Sequence, residues 1–324
     1  MNILITGVTG RVGANLAARL LQLGHQVRGL VWPRDPRTEK LRSLGVELIS
    51  GSLTSPADVT GSVNGMDIIY HLGAAFQGGG PFTNEEYFEI NVRGTFNLLE
   101  AARKAGSIRH FVYAGTDAVL NKYIPGGVLT PITEAFPKAP AGPYALTKLL
   151  GEELCMGYWL DGRLPTTSLR FAIVFGAGEI LRFPQFYLSG MRAGHPELEF
   201  LWTGEDRLLI LRDENGRPYK KHVADVRDIV SGLLAALGKE ASFGEVIQIA
   251  GPSAFAWDTV IPCLSERLGI PYSDVRLSGV PTYYEMDLSK ARTLIDFEPE
   301  YDVFRMIHDA LCFERGEDIG LIPT

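Results

Sequence analysis

The segment "PYALTKLL", residues 143–150, sets a phenol and an ammonium four residues apart, Tyr144 and Lys148. On a helix that spacing places both side chains on one face, within reach of each other. A tyrosine with a pKa of about 10 is a poor base at neutral pH, and a neighbouring cation favours its phenolate. The pair therefore has the parts for proton transfer, although the same spacing is common on amphipathic surface helices. A third polar group stands upstream, where Thr116 closes the strand-like run in "FVYAGTDAV". Ligands of open parallel sheets bind outside the carboxyl ends of the strands, so Thr116 is expected to face the cleft in which the Tyr144 helix begins.

The N-terminal stretch "TGVTGRVGANLAARLL" follows a short β-branched run and opens a helical pattern. Gly7 permits a tight turn, Gly10 lets the backbone approach a pyrophosphate, and Gly13 allows close helix packing. The helix N-terminus then offers free N–H groups to the phosphates, so the stretch reads as a dinucleotide site. NAD sites usually carry an acid at the end of the second strand, but "HQVRGLVWPRDP" has Val31 there, with Trp32 and Arg34 beside it. Arg11 and Arg34 together suit the 2′-phosphate of NADP, with NAD as the other option.

These groups need a scaffold, and the first half of the chain supplies its pattern. "NILIT", "HQVRGLV", "VELIS", "MDIIYHL" and "RHFVYAG" alternate with long periodic runs, as in a doubly wound parallel sheet, an α/β Rossmann fold. "PTTSLRFAIVFG" reads as one further buried strand. The expected boundaries are a dinucleotide-binding domain over 1–172 and a smaller, mixed α/β substrate lobe over 173–324, with some segments returning to the sheet. In that lobe Asn215 and Gly216 stand between two extended runs, a hairpin signal.

The chain of 324 residues carries a net charge of -7, which argues against a nucleic-acid surface and against adsorption to an anionic membrane. Cys155, Cys263 and Cys312 lack metal-ligand spacing, so neither a zinc site nor a disulfide framework is expected. With no basic leader before "MNILITGVTG" and no long apolar run, the expectation is a cytoplasmic protein acting on a small molecule.

In chain order, "TGVTGRVG", "HLGAA", "NVRGTFNLLEAA", "FVYAGTDAV", "YALTK", "LRFAIVFGAG", "HVADVRDIV" and "DLSKARTLIDFEPEY" together resemble the extended short-chain dehydrogenase/reductase family, in its NAD(P)-dependent epimerase and dehydratase branch. The resemblance spans nearly the whole chain. It implies hydride transfer at a carbinol or carbonyl carbon, with Tyr144 as acid and base, Thr116 orienting the reacting oxygen, and Lys148 also bonding the nicotinamide ribose. It implies that Asn91 supports the site and that His71 is structural. Cofactor contacts carried over are Gly7, Thr9, Gly10, Arg11, Val12, Gly13, Ser52, Leu53, Leu72, Gly73, Ala74, Phe171 and Val174, besides Tyr144, Lys148 and Arg34.

Substrate contacts are expected from Thr116, Asp117, Arg217 and Lys220, with Lys221 as a further cation in the same stretch. Ala118 stands where dehydratases of the family carry a glutamate, and Ile173 where nucleotide-sugar epimerases carry an asparagine. The expected activity is oxidoreduction or epimerisation of a sugar or nucleotide-sugar-like compound. A reductase of a non-sugar aldehyde or ketone, and a cofactor-binding regulator, are the alternatives. Apolar Phe88, Phe96 and Leu99 on one helix and Leu149, Leu150 and Leu154 on another suggest a homodimer joined by a four-helix bundle, as the resemblance also implies.

Overall fold

The computed structural model describes residues 1–76, 80 and 82–323. Seven parallel strands form the main sheet: β1 (Asn2–Thr6), β2 (Gln26–Val31), β3 (Glu47–Ser50), β4 (Ile68–His71), β5 (His110–Thr116), β6 (Thr166–Phe171) and β7 (Val246–Ile249). Their order is β7-β6-β5-β4-β1-β2-β3. The chain winds outward from β1 to β3 and then returns to β4, so the topology switches beside β1. There Thr6 is in register with His71.

Continuous apolar strands follow from helices covering both faces. In β1, Ile3 and Ile5 enter one core, while Leu4 between them enters the other. Two close backbone approaches fix the first turn. Gly7 has φ +70°, and a Cβ there would lie 2.7 Å from the Gly73 backbone; a Cβ on Gly13 would lie 2.2 Å from the Gly7 carbonyl oxygen. Either side chain would push the first helix (Arg11–Gln22) off the sheet.

The Tyr144 helix (Gly142–Leu160) starts with Pro143 in its first turn, where a missing N–H costs nothing. It lies close on β5: a Cβ on Gly151 would meet the Tyr113 hydroxyl at 2.2 Å. The preceding helical stretch, 84–105, opens with a capping box between Thr83 and Glu86. It widens into a π turn at Glu89–Arg93 and continues as Gly94–Ala105.

Sequence and structure differ at two places in the second half. The run "LRFAIVFG" is not one sheet strand: it breaks after Phe171, and Ile173–Phe175 pairs instead with Val223–Asp225. The turn at Asn215 and Gly216 forms, with Arg212 bridged to Pro218, but its arms do not make a hairpin ladder. Leu208–Arg212 pairs in parallel with Tyr272–Arg276, and Lys220–Lys221 pairs with Phe255–Ala256. A separate hydrophobic cluster that includes Phe186, Leu209, Trp257, Ile261 and Ile307 underlies these strands. Among the described residues no helix is long and apolar enough to cross a membrane.

Candidate active site

A cavity of about 880 Å³ opens at the carboxyl ends of β1, β2 and β4. Of the expected cofactor contacts, Gly7, Thr9, Gly10, Arg11, Ser52, Leu53, Leu72, Gly73 and Ala74 line it. A Cβ on Gly10 would meet only the Gly7 carbonyl oxygen, at 3.4 Å, so the turn leaves its outer side open to an incoming group. This cradle, with the helix N-terminus behind it, fits a dinucleotide pyrophosphate. Val12, Gly13, Phe171 and Val174 stand behind the wall: Phe171 is core, Gly13 is helix packing, and Val174 offers its carbonyl to Arg11.

The arginines do not converge as expected. Arg11 donates to the Val174 oxygen and to Glu179 Oε1, both at 2.8 Å, which ties the glycine turn to the second lobe. Arg34 is exposed and lies off the cavity wall. Asp35 lines it instead, four residues beyond the end of β2. Thr9 donates to its Oδ2 at 2.6 Å, and Arg37 donates to Oδ1 at 2.9 Å and Oδ2 at 2.7 Å. The Arg37 guanidinium holds this carboxyl well below the usual carboxylate range. The acid absent from the strand end is thus present as the cap of a short turn. "RDPR", an aspartate before proline and arginine, was the signal available for it.

Phe76, which lines the cavity, meets the Tyr144 ring edge-on, with centroids 5.5 Å apart. Burial pushes the Tyr144 phenol up to about 12, and the adjacent Thr116 hydroxyl opposes that rise. Thr116 Oγ1 accepts from the Ala118 amide at 3.2 Å, which leaves its own O–H to donate. Lys148 is buried one turn further on, and desolvation brings it down to about 7.

Asn91 has its amide fully engaged. Its oxygen accepts from Ala75 N–H at 2.7 Å, and its nitrogen donates to Ala75 O at 3.1 Å and to Thr147 Oγ1 at 3.0 Å. Ala75 lines the cavity and Thr147 lies between Tyr144 and Lys148, so Asn91 clamps one to the other. The π turn at Glu89–Arg93 carries Asn91, which is buried with these three hydrogen bonds. His71 bridges Thr6 Oγ1 at 2.7 Å and Thr95 Oγ1 at 2.9 Å, and burial keeps it neutral, with a pKa of about 3.

The arrangement is a dinucleotide-sized cradle with a half-buried tyrosine against its wall, and comparisons with known proteins give the family. The family model described as NAD dependent epimerase/dehydratase matches residues 3–250. The chain belongs to the NAD-dependent epimerase/dehydratase family. Within the short-chain dehydrogenase/reductase superfamily, a protein from Agrobacterium tumefaciens with bound NAD is 32% identical, with a TM-score of 0.86 over 98% of each chain. An uncharacterised UDP-glucose epimerase of Bacillus subtilis is 28% identical over 92% of this chain and 93% of its own. A 3-beta-hydroxysteroid dehydrogenase of Mycolicibacterium neoaurum is 32% identical over 60% of this chain, which spans about half of that protein's length, 52%.

As an enzyme of this family the chain departs from expectation on the substrate side. Arg217 is taken up by Asp213, at 3.0 Å, and stacks on Tyr283, while Lys220 pairs with Glu285. Asp117 follows Thr116 and is buried against Lys122. Lys221, the third cation of its stretch, is buried and donates to Gln185 Oε1 at 2.9 Å. Lys122, Gln185 and Tyr284 escaped sequence reasoning, because "LNKY" and "TYYE" carry no spacing that announces a site.

Proposed function

We propose that this enzyme is a dehydrogenase that transfers hydride between a secondary carbinol carbon of a sugar-like substrate and NAD. The observation that supports the reading is Tyr144 packed on Phe76 of the cavity wall, with the Thr116 hydroxyl beside it and the buried Lys148 one helical turn on. When bound, the nicotinamide supplies the hydride acceptor or donor. Tyr144 Oη takes the proton of the substrate hydroxyl as the carbonyl forms, and returns it in reduction. Thr116 donates to the same oxygen and fixes its direction. Lys148 stabilises the phenolate electrostatically and, with the cofactor bound, would also hold its ribose.

NAD is favoured over NADP because a carboxylate kept ionised at Asp35 accepts ribose hydroxyls and repels a 2′-phosphate. Dehydration is disfavoured because Ala118 offers no base. Epimerisation uses the same half-reaction but returns the hydride, so it consumes no cofactor. The apolar faces of the 84–105 stretch and the Tyr144 helix support a homodimer.

The test is to incubate the purified chain with NAD or NADP and a panel of sugars and sugar acids. Reduced cofactor should accumulate with NAD, and Tyr144→Phe should lower kcat by about 100-fold or more while NAD still binds. Interconversion of epimers without net NADH would replace dehydrogenase by epimerase. Tight NAD binding without turnover of any panel member would favour a regulator.

A further inference from the structure

Beside Thr116 the chain buries more positive charge than it neutralises. Lys122 and Lys221 are 4% and 5% exposed, and they face one carboxylate, Asp117, itself 5% exposed. Asp117 pairs with Lys122. Lys221 comes from the second lobe, close enough that Lys122 and Asp117 both act on its charge, and burial brings it down to about 8. Its polar partner is neutral, Gln185 Oε1, and its Nζ lies 5.2 Å from the centroid of the Phe183 ring. The other cations of that stretch have their own carboxylates, Lys220 in Glu285 and Arg217 in Asp213.

A buried ammonium without a carboxylate costs several kcal/mol, and proteins rarely carry that cost without a use for the charge. A second observation points the same way. Tyr284 is 1% exposed, its ring lies under Lys122 with Nζ 4.7 Å from the centroid, and its hydroxyl, on the side of Tyr123, makes no hydrogen bond of ordinary geometry among the described residues. Two ammoniums and a phenol are therefore gathered about Asp117, the residue that follows Thr116.

We infer that Lys221, with Lys122 and the Tyr284 hydroxyl, binds a carboxylate of the substrate, so that the compound oxidised is a sugar acid rather than a neutral sugar or a nucleoside diphosphate sugar. The inference rests on the reading that Tyr144 and Thr116 hold the reacting oxygen. One excess positive charge matches one carboxylate, whereas a diphosphate brings two charges to a group that offers one.

The test is calorimetric binding to the NAD-loaded protein, which does not depend on turnover. The panel pairs uronic and aldonic acids with the neutral aldoses and alditols of the same stereochemistry, and includes UDP-glucose. At least one acid should bind about 10-fold or more tightly than its neutral counterpart, the range of a charge-assisted contact. Lys221→Met should abolish that preference with NAD affinity retained, and Lys221→Arg should keep most of it. The inference is overturned if no acid outbinds its neutral partner, if the preference survives Lys221→Met, or if UDP-glucose outbinds every acid. Failure of the hydride reading is separate: it would appear as undiminished turnover in Tyr144→Phe, whatever the acids do.

Discussion

The Lys148 ammonium lies over the face of Tyr113, with Nζ 4.1 Å from the ring centroid, one helical turn below Tyr144. A cation–π contact of this kind is worth about 0.5–2 kcal/mol, less than the desolvation of a fully buried ammonium. Lys148 accordingly sits near 7 and Tyr144 near 12. Without cofactor at neutral pH, Tyr144 is therefore a proton donor, and Lys148 carries only part of its charge.

The first expectation is spectroscopic. In the cofactor-free chain Tyr144 should give no tyrosinate absorbance below pH 9, the range in which ordinary tyrosines with a pKa of about 10 are also largely silent. A cation brought beside the phenol favours its charged form, so saturating oxidised cofactor should make a tyrosinate signal appear at lower pH. Tyr144→Phe should delete that signal and Lys148→Met should move it upward. A difference spectrum indifferent to both substitutions would refute the coupling.

Cofactor choice should turn on Asp35. Asp35→Asn removes a charge-assisted acceptor worth about 1–3 kcal/mol, so NAD affinity should fall by roughly 10- to 100-fold. The same change frees Arg37, half-exposed on the cavity wall, to meet a 2′-phosphate, so NADP affinity should hold or rise. Titration of both cofactors at fixed ionic strength reads the ratio, and parallel losses would show that Asp35 does not touch the ribose.

Acid should destabilise the fold through three buried histidines, His71, His110 and His222, all lowered by desolvation. Desolvation lowers His71 and His110 from 6.5 to about 3. Below pH 6.5 the unfolded chain takes up protons that the folded chain refuses, so stability is present above 6.5 and is lost as pH falls toward 3. The slope is about 1.4 kcal/mol per pH unit for each histidine. Urea unfolding at pH 7.5, 6 and 5 should show this loss. His110→Gln, which retains an acceptor for Gly238 N–H and a donor for Thr167, should reduce the slope by about 1.4 kcal/mol per pH unit. An unchanged slope would mean that His110 is protonated in the fold.

The glycine turn and the Tyr144 helix were legible because local backbone rules impose them: Gly7, Gly10 and Gly13 have few other uses at that spacing, and Pro143 marks a helix start. Thr116 could be placed because strand ends in an open sheet face the cleft. Asp35 was not legible at the strand end, because a turn rather than the sheet carries the acid. Lys122, Lys221 and Tyr284 meet only in space, across 163 residues of chain, so no spacing could pair them. Leu99 shows the same limit from the other side, since its position on an apolar helix face did not reveal that the core covers it completely.

Of the residues expected at a dimer face, Phe88, Phe96 and Leu150 are exposed, whereas Leu149 and Leu154 pack against the cores. Phe96 and Leu150 are 45% and 37% exposed, and a hollow of about 580 Å³ bounded by Phe96, Glu100, Arg103 and Tyr158 adjoins them. Light scattering at micromolar concentration should give the mass of two chains, and Phe96→Glu with Leu150→Glu should give one. A wild-type mass of one chain, unchanged by concentration and cofactor, would leave this face without a second copy.

The last expectation joins stability to the site. Glu152 follows Lys148 by four residues and is held in a buried pair by Arg170, with Nε to Oε2 at 2.8 Å and Nη2 to Oε1 at 2.7 Å. Arg170 also donates to the Glu134 carbonyl at 3.0 Å, which anchors the loop before the Tyr144 helix to β6. Removing one partner strands a buried charge, so Glu152→Gln should cost about 3–5 kcal/mol. Exchanging both for methionine should cost less than the sum of the single changes, because no unpaired charge remains. Glu152 also favours the charged form of Lys148. Its loss should therefore lower the Lys148 pKa further and weaken cofactor binding at neutral pH more than at pH 6, where a larger share of Lys148 is protonated. Denaturant curves for the four proteins of the cycle, with NAD titrations at the two pH values, separate the two effects. Additive costs would show that the pair acts as two independent groups, and a pH-independent NAD loss would show that Glu152 does not act on Lys148.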